Sequence, residues 1–150
     1  MASTISNASL VVTLTEKLTL NGRDHGSSQK MTISGVNEVS KRILTCATTP
    51  GTQVYAGGAA AGLGTFVTDN VKYIRITNLD DTNFVVLHLE GNSHYAQITL
   101  AAGNVFFLTD VSATFDSEAL VEDFSAEDIT RIDVMADTAA CDVEILVASA

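Results

Sequence analysis

The sequence predicts an all-β protein, a single antiparallel β-sandwich of jelly-roll-like form with about eight strands. Apolar residues recur with a period of two along several short stretches, the pattern of strands buried on one face. Turn-forming residues interrupt these stretches roughly every 8–12 residues, and no strand–helix–strand alternation is visible. The apolar residues are mainly Val, Ile, Leu and Ala, with abundant Thr, no Trp and one Pro, a composition suited to pleated, half-buried surfaces. At 150 residues the chain fits one domain able to bury roughly two thirds of its unfolded surface without covalent staples.

The first nine residues lack a pattern and are expected to form a flexible arm, with the sandwich domain occupying residues 10–150. Leu10, Val12 and Leu14 alternate with Val11, Thr13 and Thr15, and Leu18 and Leu20 resume the same parity before the turn dipeptide Asn21-Gly22. Arg23 to Gln29 is polar and reads as a loop. Lys30 to Ile33 begins another strand, interrupted at Ser34-Gly35. In the next, Val36 to Cys46, Leu44 and Cys46 share one side, with Val39 and Ile43 on the other. Pro50-Gly51 breaks the chain.

Ala56 to Gly64, AGGAAAGLG, is rich in small residues. It lacks the Lys-Ser/Thr of a phosphate-binding P-loop and the spacing of a dinucleotide turn, so it reads as a small-residue loop able to approach another chain closely. Val71 to Leu89 reads as a central hairpin. Ile74 and Ile76 face inward on one arm and Val85, Leu87 and Leu89 on the other, with Asn78, Asp80, Asp81 and Asn83 in the turn. Ala96, Ile98 and Leu100, then Val105 to Leu108, continue the β pattern. Asp110 to Asp128 is an acidic loop in which Leu120, Val121 and Phe124 suit one helical turn. A second hairpin is expected from Ile132 and Val134, through Asp137-Thr138-Ala139-Ala140, to the inward row Cys141, Val143, Ile145 and Val147.

Charge narrows the partners. The formal charge is −10, with seven bases against four acids over residues 1–75 and one base, Arg131, against fourteen acids over residues 76–150. An acidic surface repels phosphates, which argues against nucleic acid and anionic membranes as main partners. Charged residues are only 17% of the chain, below the roughly 25% of a free-standing globule, so part of the surface is expected to be covered. The start MASTISNASL has neither a basic region nor a long apolar run, and no export signal is expected.

No pattern of residues points to catalysis. His25, His88 and His94 lack the paired spacing of zinc ligands, although His88 and His94 could approach each other across a hairpin. There is no GxSxG, and no Trp to line a sugar cleft beside the carboxylates of 116–128. No enzyme activity and no cofactor are expected. For a hard cation the candidate ligands are Asp80, Asp81 and Asn83, with Glu122, Asp123, Glu127 and Asp128 as a second group; neither has EF-hand spacing. Cys46 and Cys141 make no CxxC pair and are expected in the core.

Three phrases carry a resemblance: MASTISNASLVVTLTE at the start, Asn70 to Asp80 (NVKYIRITNLD) and Ala136 to Glu144 (ADTAACDVE). Together they resemble small β-rich structural proteins of tailed bacteriophages, particularly phages of aquatic bacteria. The resemblance implies a virion component assembled in the host cytoplasm, of the capsid decoration or cement type. Its partners would be the major capsid protein and further copies of itself, a trimer being favoured. On this reading the contact elements are the N-terminal arm, with Ser3, Thr4 and Ile5, and the small-residue loop with Tyr55, Gly57, Gly58, Ala59, Ala60 and Leu63. The alternative is a tail, neck or fibre module binding a receptor or carbohydrate, which would gather Tyr55, Tyr73 and Tyr95 at one loop end.

Overall fold

The computed structural model describes residues 6–112, 115–116 and 125–150. In chain order its strands are β1 (Ala8–Glu16), β2 (Thr19–Leu20), β3 (Arg23–Asp24), β4 (Ser27–Val36), β5 (Glu38–Cys46), β6 (Thr52–Gly58) and β7 (Phe66–Val67). There follow β8 (Val71–Asn78), β9 (Val85–Glu90), β10 (Tyr95–Leu100), β11 (Val105–Leu108), β12 (Arg131–Ala136) and β13 (Cys141–Ser149). The all-β class stands. The single sandwich of about eight strands does not, because the described residues form 13 strands in four sheets.

Two of the sheets make the body. One has the order β10-β9-β12-β6-β7 and the other β11-β8-β13-β5. The inward residues of both meet in one core: Val54 and Tyr55 of β6, Leu87 of β9 and Ile132 of β12 from the first sheet, Ile74 and Ile76 of β8 and Val143 and Ile145 of β13 from the second. Each fully buried side chain of this kind contributes about 1.5–3 kcal/mol. Arg42 ties the sheets together at the β5 edge by donating from Nη2 to the Val54 carbonyl at 2.7 Å.

Neither expected hairpin is one. β8 belongs to the four-stranded sheet and β9 to the five-stranded sheet, and β12 and β13 are divided in the same way. The inward parity was right in all four strands, but the turns 79–84 and 137–140 carry the chain from one layer to the other. These turns lock to each other: Thr138 Oγ1 donates to Asn83 Oδ1 at 2.8 Å, and the Asp137 amide donates to the Phe84 carbonyl at 3.2 Å. The loop expected over Arg23–Gln29 is also largely strand, since β3 and the start of β4 fall within it. β1 begins at Ala8, so the last two residues of the expected N-terminal arm are strand.

Val111 and Ile129 are buried in the core and joined by a bond from the Ile129 amide to the Val111 carbonyl at 2.8 Å. Leu120, Val121 and Phe124 lie outside the described residues.

Candidate assembly surface

The remaining two sheets are a single β-ribbon. β1 pairs with β4 and β2 with β3, and every pair from Ser9↔Ser34 to Leu20↔Arg23 is symmetric about the Asn21-Gly22 turn. Both turn residues have positive φ, 51° at Asn21 and 75° at Gly22, as the two-residue turns that match strand twist require. The His25 amide donates to the Leu18 carbonyl at 2.8 Å, which carries the pairing across the gap between β1 and β2. At about 3.3 Å per residue the ribbon is roughly 40 Å long.

Because the register is unbroken, residues of one parity share a face. Leu10, Val12, Leu14, Leu18 and Leu20 therefore form one apolar stripe, with Ile33 and Met31 opposite Leu10 and Val12. At the base, Leu10, Val12 and Ile33 pack with Val36 on Tyr73, Leu146 and Ala148, which lie on the outer face of the four-stranded sheet. Beyond the base the stripe has no cover: Leu14, Leu18 and Leu20 are 50%, 54% and 56% exposed. A two-stranded ribbon alone in water is marginal, and half of this apolar face is presented without a partner among the described residues.

The outer face of the four-stranded sheet is itself only half covered. Val39 and Ile43 of β5 are 61% and 58% exposed, and Val105 and Phe107 of β11 are 50% and 42% exposed. Between these edges Glu144 of β13 is paired with Lys41, Nζ to Oε2 at 3.0 Å, and with Arg75. Phe107 stacks on Tyr73 with ring centroids 6.4 Å apart. The face is thus apolar at its edges, with a compensated charge cluster between them.

The expected contact residues are scattered. Ser3, Thr4 and Ile5 lie outside the described residues. Ala59, Ala60 and Leu63 are exposed on the loop between β6 and β7. Gly57 and Gly58 are not in that loop but in β6, pairing in parallel with Phe66 and Val67. Tyr55 is fully buried, stacked on Phe66 at 6.0 Å. Burial pushes its phenol up to about 12, with the Thr68 hydroxyl opposing the shift. Tyr55 is therefore a core residue rather than a contact residue. The tyrosine platform is not assembled either, since Tyr73 is also buried and only Tyr95 of the three is exposed.

The cation candidates Asp80, Asp81 and Asn83 are occupied in holding their own turn. Asp80 Oδ1 accepts the amides of Asn83 at 2.6 Å and Thr82 at 2.8 Å, bonds that hold its carboxyl below the usual range. Asp81 Oδ1 accepts the Thr82 hydroxyl and Asn83 Oδ1 that of Thr138. Glu122 and Asp123 lie outside the described residues. His94 sits between Asp116 and Glu127, at 3.7 and 3.9 Å, whereas His88 lies against Tyr95 with ring centroids 5.9 Å apart. No group of three or more His, Cys, Asp or Glu among the described residues is placed to hold a metal ion.

Reading the sequence missed the ribbon as a unit. The signal was present in the shared parity of Leu10 to Leu20 and in the Asn-Gly dipeptide, about which the flanking residues pair one for one. The chain matches no protein-family model, no curated protein and no solved structure.

Proposed function

We propose that the chain is a virion structural protein of the capsid-decoration kind, which binds a shell of major capsid protein and stabilises it as a homo-oligomer. The observation that carries the reading is the ribbon: its apolar stripe is anchored at one end and left bare for the rest of its length. A chain that acted alone would pay for this arrangement with nothing in return, whereas a subunit that straps onto a neighbour uses it. The exposed Ala59, Ala60 and Leu63 on the β6–β7 loop offer a second contact. The low charged fraction of 17% agrees with a surface that is partly covered. Such a protein adds buried area across joints between capsomers, where internal pressure would open the shell.

The test is binding to empty shells of the phage that encodes the chain, read by co-sedimentation and by the temperature at which the shells rupture. The chain is expected to pellet with the shells and to raise the rupture temperature. Failure to pellet would overturn the assignment.

A further inference from the structure

Resting on that reading of the chain as an assembly protein, we infer that the outer half of the ribbon docks on the open outer face of the four-stranded sheet of a second copy. The two surfaces already meet once within the chain. Leu10, Val12 and Ile33 of the stripe lie on Leu146 and Ala148 of that face, so Leu14, Leu18 and Leu20 continue a surface whose fit to the sheet is established at the base. The sheet's uncovered apolar residues, Val39, Ile43, Val105 and Phe107, offer the stripe the same chemistry.

Charge favours the same occupant. Residues 8–36 hold three bases, Lys17, Arg23 and Lys30, against two acids, while residues 37–150 hold five bases against sixteen acids. Residues 8–36 are thus at +1 and residues 37–150 at −11, so ribbon-to-body contact between copies is attractive and body-to-body contact repulsive. Glu144, at the middle of the receiving face, is already matched by Lys41 and Arg75, and docking strands no lone charge there.

Area is sufficient only if exchange is mutual. The ribbon beyond Val12 is about 25 Å long and 10 Å wide, so one docked ribbon covers roughly 250 Å² of projected surface on each side. In a two-fold dimer each copy gives its ribbon to the other and receives the other's, which withdraws roughly 500 Å² projected from each copy in one interface, the order of the ~800 Å² accessible that a stable interface takes per partner. Mutual exchange between two copies is isologous and closes as a two-fold dimer.

Two measurements test the exchange. Leu18→Cys and Ile43→Cys chains, prepared separately, are mixed and treated with a short bismaleimide. A linked pair of twice the chain mass is expected well above the yield from either variant alone, or from Leu18→Cys mixed with a chain carrying Asn92→Cys, at an exposed turn outside every proposed contact. No excess over those controls would overturn the inference. By light scattering at high micromolar concentration the wild type is expected to be oligomeric. The Leu14→Asp/Leu18→Asp/Leu20→Asp chain is expected to be monomeric and still cooperatively folded, because these half-exposed side chains lie outside both core clusters. A monomeric wild type, or an oligomer that survives the triple substitution, would overturn the exchange. Shell binding is scored separately: a monomer that still pellets with shells refutes the exchange and keeps the assembly role, while an exchanging oligomer that never pellets supports the exchange and refutes that role.

Discussion

Cys46 and Cys141 stand directly opposite each other across β5 and β13, both on the inward face and both fully buried as free thiols. Directly opposed residues in an antiparallel pair have Cα atoms about 4.5–5.5 Å apart, inside the span a disulfide bridges. Separation is therefore not what keeps them reduced. Burial pushes the Cys46 thiol up to about 11 and raises that of Cys141 as well, and only the thiolate is nucleophilic.

Both thiols should accordingly resist aromatic disulfide reagents and maleimides in the folded protein at mildly alkaline pH, and both should react at once in denaturant. Mass spectrometry after timed labelling reads this directly. Rapid modification of either thiol in the native state would show that the β5–β13 edge opens far more readily than its packing implies. The same inertness is what allows the maleimide crosslinking of ribbon and sheet to be read without replacing the native cysteines.

Asn78 is the one fully buried amide at the β8–β9 crossover. Its Nδ2 donates to the carbonyls of Asn83 at 2.9 Å and Leu100 at 3.2 Å, and its Oδ1 accepts the Asp80 amide at 3.1 Å. Asn78→Leu removes all three bonds and leaves buried backbone groups unpaired, so a loss of about 2–4 kcal/mol is expected. Urea denaturation measures it. A loss below about 0.5 kcal/mol would mean that water replaces the amide and that the crossover is wetter than it looks.

What was legible in the sequence follows from what alternation encodes. The inward rows Ile74 and Ile76, Leu87 and Leu89, and Cys141 to Val147 were readable because a period of two marks which face is buried. It does not mark which strand lies alongside. The polar turns at 79–84 and 137–140 suit a crossover between layers as well as a hairpin, and here the crossover wins because both flanking rows must reach one core from opposite sides. The outgoing arm of the ribbon was harder to see. Ser27 to Lys30 has polar residues on both faces, and a strand with both faces in water carries no apolar period. Tyr55 was misplaced for a related reason, since its neighbours Ala56, Gly57 and Gly58 read as a loop by composition although they form the end of β6.

Gly57 and Gly58 are adjacent in β6 yet should respond differently to substitution. A Cβ at Gly57 would lie 2.6 Å from the Tyr55 hydroxyl and 2.7 Å from Thr68 Oγ1, whereas one at Gly58 would find its nearest neighbour, the Thr65 methyl, at 3.5 Å. Gly57→Ala must therefore displace a buried ring and is expected to cost about 1–3 kcal/mol. Gly58→Ala is expected to be within about 0.5 kcal/mol of the wild type. Thermal melts of the two variants separate the cases, and equal effects would contradict the tight packing of Tyr55 under β6.

Glu127 should make stability depend on pH at the acid end. Its carboxylate accepts the Ser93 amide at 2.8 Å and the His94 amide at 3.1 Å, fastening the β9–β10 turn to the segment that precedes β12. These bonds, that of Ser93 first, hold the carboxyl below its usual value. A depressed folded value favours the folded state fully above the unfolded value of about 4.3 and loses that contribution as pH falls through the folded one. Glu127→Gln should thus be less stable than the wild type at neutral pH, with the two stabilities converging below about pH 4. The protection factors of the Ser93 and His94 amides, taken against their intrinsic exchange rates at each pH, should fall in the variant at neutral pH and in the wild type only in acid. Parallel stability curves across this range would show that the carboxylate charge does not hold the turn.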